Sequence, residues 1–162
     1  MSNPKNQKGF TLPEIMLVVL IIGILAGIGI PNLLRARLNA GEGAMKSDMR
    51  TFSTANEAYR AAQSPAAYAP DMASLANPPN PPEYLDRTWL APPKHGFNLT
   101  YTPGPAPALT YSLLAAPAVR GQTALNTYCV DQTGVIVGSS ADGTSNIPSG
   151  TAGGCVGGVG IS

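Results

Sequence analysis

The pattern of apolar and polar positions changes character several times along the chain. Residues 15–34 carry no charged side chain, and the run Ile15-Met16-Leu17-Val18-Val19-Leu20-Ile21-Ile22-Gly23-Ile24-Leu25-Ala26-Gly27-Ile28-Gly29-Ile30 is aliphatic apart from its glycines. At about 1.5 Å per residue it makes roughly 30 Å of helix, enough to cross the hydrocarbon core of a bilayer. Beyond Pro31 the apolar residues Leu38, Met45, Phe52 and Tyr59 recur every seventh position, with Leu34, Met49 and Ala55 nearby. Arg37, Glu42, Lys46, Asp48, Arg50 and Glu57 fall among them. This predicts one helix over residues 12–63, apolar all round in its first half (residues 10–34) and amphipathic in its second (residues 35–63). A helix of that kind suits lipid or the interior of an assembly at one end and supports a head at the other. Ser64-Pro65 marks its end, because the residue before proline is pushed out of helical geometry.

Residues 64–95 form a proline-rich connection, with Pro65, Pro70, Pro78, Pro79, Pro81, Pro82, Pro92 and Pro93 scattered among alanine and asparagine. Regular structure is hard to sustain there, although residues 71–75 and 83–85 allow short helical turns. After His95-Gly96 the pattern turns to alternation: residues 97–101 and 109–113 predict two strands around the Pro103-Gly104-Pro105 break, and residues 126–130 and 135–137 two more around Asp131-Gln132-Thr133-Gly134. The expected fold is α+β, a long N-terminal helix packed on a small C-terminal antiparallel sheet of about four strands over residues 96–162. Met45, Met49, Phe52 and Tyr59 should lie beneath its apolar face. Residues 138–162, rich in glycine, serine and threonine, read as irregular surface.

Glu14 is the one carboxylate at the edge of the apolar run. An ionised carboxylate in a low-dielectric setting is costly unless a cation meets it, so Glu14 is a functional candidate with an amino group as its natural partner. Lys8-Gly9-Phe10-Thr11-Leu12-Pro13-Glu14, the aliphatic run and Ile30-Pro31-Asn32 together resemble the N-terminus of type IV pilins and type II secretion pseudopilins. The resemblance covers residues 8–40 and is specific. It implies a short basic leader, residues 1–9, cut between Gly9 and Phe10 by a prepilin peptidase that also N-methylates Phe10, so the leader stands outside the fold. It implies too that Glu14 neutralises the Phe10 amine of a neighbouring subunit and so sets the axial register of a helical fibre. Pro13 departs from the branched aliphatic residue common there, but it fits the first turn of a helix, where its missing N–H has no partner anyway. The alternative is an ordinary secretory signal peptide or simple anchor, against which stand the length of the apolar run and the charge at its start.

Gly23, Gly27, Gly29 and Pro31 weaken the helix, glycine by about 1 kcal/mol relative to alanine and interior proline by about 3 kcal/mol. In pilins the similar segment loses helical structure in assembled fibres. Small residues that let helices pack closely in a membrane are the compatible alternative.

Charge and cysteine content sharpen the picture. The formal charge is +1, and removal of Lys5 and Lys8 with the leader makes it −1, which gives no electrostatic reason to bind nucleic acid directly. For a head that leaves the cytoplasm, Cys129 and Cys155 are expected to pair, closing a loop of about 27 residues worth roughly 3.5 kcal/mol. Two unpaired thiols are the alternative. No metal site and no cofactor are expected, since His95 is the sole histidine and there is no Cys-x-x-Cys. His95, after Pro92-Pro93-Lys94, reads as a solvated loop residue rather than a general base. Trp89 reads as a packing residue, and Asn98-Leu99-Thr100 as a chance glycosylation match. Pro78-Pro79-Asn80-Pro81-Pro82 reads as a loop rather than a ligand for SH3-like modules.

No catalytic constellation is present, so the chain is expected to be a structural subunit and not an enzyme. The resemblance implies the major pilin of a type IV pilus, a homo-oligomeric helical fibre. The subunit would wait in the inner membrane and be stacked by an assembly platform and its ATPase. Its alternative is the major pseudopilin of a type II secretion system, which forms a periplasmic fibre. Major pseudopilins typically bind calcium through carboxylates of a C-terminal loop and lack the terminal disulfide. Here Asp131 and Asp142 are the only carboxylates after Asp86, and the cysteines are present. A minor or priming subunit is less favoured, because Glu14 is present. A membrane-anchored ligand-binding domain is the alternative of another class. Electron conduction along the helix has little support, because residues 11–51 contain no aromatic side chain.

Overall fold

The computed structural model describes residues 9–79, 82–140 and 143–161. The leader residues 1–8, Asn80 and Pro81 of the proline run, Ala141, Asp142 and Ser162 lie outside the described residues. The first element is α1, Leu12–Ala62, continuous through Pro31. Chain contacts divide the protein into two units, Met1–Arg37 and Leu38–Ser162.

In the first unit α1 has no core to pack on. Its large apolar side chains from Phe10 to Leu34 are all between 45% and 78% exposed. The helix starts where the Thr11 carbonyl accepts from the Glu14 and Ile15 amides at 3.1 and 3.3 Å. Pro31 has no N–H to offer the carbonyl of Gly27 four residues earlier, which leaves that acceptor without its ladder partner. One residue on, Asn32 Nδ2 donates to the Ile28 carbonyl at 3.2 Å.

In the second unit the same helix becomes one wall of a core. Its buried residues are Glu42, Met45, Met49, Phe52, Ala55 and Asn56, spaced at three to four residues and so on one face. Opposite lies a five-stranded antiparallel sheet in the order β1 (Phe97–Pro103), β2 (Tyr111–Pro117), β3 (Tyr128–Asp131), β4 (Ile136–Gly138), β7 (Val159–Gly160). A separate hairpin, β5 (Ser149–Thr151) and β6 (Gly154–Val156), makes a second two-stranded sheet.

The hairpin explains why β2 is buried on both faces. Side chains alternate along a strand: Tyr111, Leu113 and Ala115 join the core with Met49 and Phe52. On the other face the Ser112 hydroxyl donates to the Thr151 carbonyl at 2.9 Å. A Cβ on Gly150 would lie 2.8 Å from Ser112 Oγ, so a larger residue there would have to push this hydroxyl aside. The irregular surface expected for residues 138–162 is therefore corrected to three short strands. The turn between β6 and β7 uses Gly158 at φ +83°, a conformation that other residues rarely adopt.

Two further expectations shift. The second strand runs over Tyr111–Pro117 rather than 109–113, because it pairs along its whole length with β1, from Pro103 opposite Tyr111 to Phe97 opposite Pro117. The proline-rich connection is more ordered than its composition suggests. It holds α2 (Ala73–Ala76) and a 3-10 turn at Arg87–Leu90 rather than at 83–85. It also sends Tyr68, Ala69, Leu75, Ala76, Leu85 and Trp89 into the core. Asp71 starts α2 by accepting from Ser74 N at 2.7 Å, and Asp86 starts the 3-10 turn by accepting from Thr88 N at 2.8 Å.

Candidate assembly site

Glu14 sits in the first turn of α1, where the helix dipole favours a negative charge. Thr11 N donates to its Oε2 at 3.4 Å, the return half of a Thr-x-x-Glu capping box, in a long and exposed bond. Among the described residues no Lys, Arg or His nitrogen lies within 4.0 Å of this carboxylate. Phe10, four residues earlier, is 78% exposed. Gly9, Phe10 and Glu14 thus share one short exposed segment at the head of an apolar helix. Gly23, Gly27, Gly29 and Pro31 are helical and have no side chain from elsewhere against them; a Cβ on any of these three glycines would meet open space.

A second glutamate on α1 has the opposite surroundings. Glu42 is only 8% exposed. Its Oε1 accepts from the amides of Leu125 and Asn126 at 2.9 and 3.1 Å. Its Oε2 accepts from Asn126 Nδ2 at 2.9 Å and from the Tyr128 hydroxyl at 2.7 Å. Burial pushes this carboxyl up, but the four hydrogen bonds outweigh burial and hold it below its ordinary range. Burial, then the bond to Glu42, pushes the Tyr128 hydroxyl well above its own. In the sequence Glu42 falls among the charged positions between the apolar ones. Its spacing was a usable signal, since it lies four residues after Leu38 and three before Met45, on the buried stripe.

Cys129 on β3 and Cys155 on β6 form a disulfide, with their Cα atoms 5.9 Å apart. On the same face of β3, Asp131 Oδ2 accepts from Cys155 N at 3.0 Å, and its Oδ1 accepts from Thr133 N at 2.9 Å and Thr133 Oγ1 at 2.6 Å. Burial raises the Asp131 carboxyl and these bonds lower it, with a net result below the ordinary range. Both of its oxygens are therefore engaged by the protein's own donors.

His95 is not simply solvated. Its Nε2 lies 3.1 Å from Asp48 Oδ2, and Lys94 Nζ lies 3.5 Å from the same oxygen. Lys94 also stands 4.7 Å from the Trp89 ring centroid. This cluster ties the turn before β1 to α1. Among the described residues no group of three or more His, Cys, Asp or Glu is arranged to hold a metal ion. A surface groove of about 360 Å³ is lined chiefly by Met72, Trp89, Leu90, Leu99 and Tyr101, with Asp71 as its charged residue.

Residues 4–30 match the family described as the prokaryotic N-terminal methylation motif. This N-terminal segment is thus similar to that of type IV pilins and type II secretion pseudopilins. It is 42% identical over 57 residues to the type IV major pilin protein of Myxococcus xanthus, covering 35% of this chain and 26% of that one. It is 36% identical over 81 residues to the type II secretion system core protein G of Klebsiella michiganensis, covering 49% and 57%. Over 38 residues it is 55% identical to the type IV wide pilus major component of Thermus thermophilus, covering 24% and 29%. The matches thus span from about a quarter to somewhat over half of these relatives' lengths. No solved structure gives a significant match.

Proposed function

We propose that this protein is a structural subunit, the major pilin, of a type IV pilus, and that it carries no chemistry of its own. The observation behind this reading is the uncovered apolar helix of the first unit with Glu14 at its start. Its large side chains are exposed throughout, and none of the described cations meets its carboxylate. Burying such a surface is worth about 25 cal/mol per Å² of apolar area, so the helix belongs in lipid before assembly and against equivalent helices afterwards. In that packing the Phe10 amine, freed by cleavage after Gly9 and methylated, would pair with Glu14 of a neighbouring copy. An unpaired carboxylate there would be costly, so the pairing also disfavours misregistered subunits. The partners in this reading are further copies, a prepilin peptidase that also methylates, and an inner-membrane platform driven by an ATPase. Nucleic acid is not among them.

The second reading, a type II secretion pseudopilin, draws on the 81-residue match to core protein G, which extends well beyond the methylation motif. Against it stands Asp131, whose oxygens are taken by Thr133 and Cys155 rather than left for calcium. A tethered binding domain finds less support, because the groove beside Trp89 lacks a convergent set of polar groups.

Filaments sheared from cells and analysed by mass spectrometry test the proposal. The expected result is fibres built from this chain, beginning at a singly methylated Phe10, with a melting temperature that added calcium leaves unchanged. A chain that begins at Met1, or that stays dispersed under assembly-competent expression, would overturn it. A clear calcium-dependent rise in melting temperature would favour the pseudopilin.

A further inference from the structure

We propose that Glu42 is a positioning residue that latches the connection between β2 and β3 onto α1, and that this latch opens in acid before the rest of the head does. The inference does not depend on the fibre reading.

Residues 118–127 form the connection, and apolar packing holds little of it. Ala124 is its fully buried side chain, while Val119 and Leu125 are 48% and 39% exposed. Its backbone bonds over residues 119–124 are internal, such as Thr123 N to the Val119 carbonyl and Gly121 N to the Ala124 carbonyl, each 2.9 Å, while at its ends Ala118 N donates to the Gly96 carbonyl at 2.9 Å and the Thr127 carbonyl accepts from Ser139 N at 3.0 Å. What ties it to the helix is the Glu42 carboxylate, which gathers Leu125, Asn126 and Tyr128. Glu42 is also the first buried residue of α1.

The chemistry of these partners selects the ionised form. Two are backbone N–H groups, which can only donate; the Asn126 amide presents its NH2 because its Oδ1 accepts from Ser139 Oγ at 3.1 Å, and the Tyr128 hydroxyl alone can reverse without breaking another bond. A protonated carboxyl would keep Oε1 as acceptor for the two backbone amides but set its O–H among the donors on Oε2, so at least one of those donors loses its partner. No described cation lies within 4.0 Å to share the charge. Among the described residues the other charged groups on the packed elements make no ion pair with it. Lys46 on α1 lies 5.2 Å from the Tyr128 ring centroid. Asp48 pairs with Lys94 and His95, and Arg120 belongs to the connection itself. Because the folded carboxyl titrates below its ordinary 4.5, the stabilisation is fully present above that value and is lost as pH falls through the folded one.

Amide hydrogen exchange on the full mature chain in detergent, corrected for intrinsic rates, tests this. Protection at Leu125 and Asn126 should fall as pH drops through the carboxylate range, roughly tenfold per unit of pKa depression, while Leu113 and Val130 in the sheet stay protected. Glu42→Gln keeps a carbonyl oxygen for these two amides but removes the charge and sets an NH2 against Asn126 Nδ2, so protection at Leu125 and Asn126 should be lower than in wild type at neutral pH and fall no further in acid. Tyr128→Phe keeps the carboxylate but removes one bond, so its release should move to higher pH. Loss at Leu125 and Asn126 in step with Val130 would overturn the proposal. So would a Glu42→Gln profile that follows wild type, or, should that variant not fold, a Tyr128→Phe midpoint that does not move.

Discussion

Two glutamates on one helix, Glu14 and Glu42, show how differently the two units of this chain are completed. Glu42 is buried and takes four donors from its own head. Glu14 is exposed and takes one long bond from Thr11. The surrounding apolar residues follow suit: Met45, Met49 and Phe52 are fully buried, whereas residues such as Leu17, Leu20 and Leu25 are more than half exposed. A charge or an apolar face that the chain satisfies internally is part of folding. One that it leaves open is completed only from outside the chain, by lipid or other apolar surface for the aliphatic face and by a cation for a carboxylate out of water.

The contrast breaks most clearly at Glu14. Glu14→Ala leaves an apolar helix that inserts in a membrane at least as well, so the subunit should accumulate and be cleaved after Gly9, yet fail to build normal fibres. Electron microscopy with immunoblotting reads both outcomes. Glu14→Lys should be worse, since it sets a second cation beside the Phe10 amine, and Asp86→Ala should do much less.

Core substitutions come next. Phe52→Ala should destabilise the head by about 3–5 kcal/mol, since Phe52 packs on Trp89, Tyr101 and Tyr111 with ring centroids 5.5, 5.6 and 5.9 Å away. The disulfide has a somewhat smaller effect. Cys129→Ser with Cys155→Ser should cost about 2–4 kcal/mol in denaturant melts. It should do so without unseating the hairpin fully, because Thr110 Oγ1 still donates to the Ala152 carbonyl at 2.6 Å and Ser112 Oγ to that of Thr151. Smallest of all, Ile21→Ala should change head stability by no more than about 0.5 kcal/mol, as Ile21 touches no core. An Ile21→Ala effect as large as that of Phe52→Ala would erase the distinction between the units.

What could be read from sequence follows the same division. The apolar run and the likeness to the N-terminal methylation motif were legible because both are local to consecutive residues. The heptad of Leu38, Met45, Phe52 and Tyr59 gave the helix and its buried stripe. The partners of Glu42 and Asn56 were not legible, because they lie on distant segments. Asn56 accepts from Ala69 N and donates to the Tyr101 hydroxyl, and nothing near residue 56 announces either. The strands of the tail were missed for a related reason. Each is two or three residues long and glycine-rich, too short for alternation to register, and each is fixed by pairing or by Cys129, Ser112 and Thr110 across the sheet.

The most direct measurement is a cryo-microscopy map of sheared filaments at side-chain resolution. The prediction is that the helices over residues 10–34 are packed together in the fibre interior, with the Glu14 carboxylate in ion-pair reach of the methylated Phe10 amine of a neighbouring copy. A map in which Glu14 faces solvent, or meets no amine, would contradict the claim that this open carboxylate is completed by assembly.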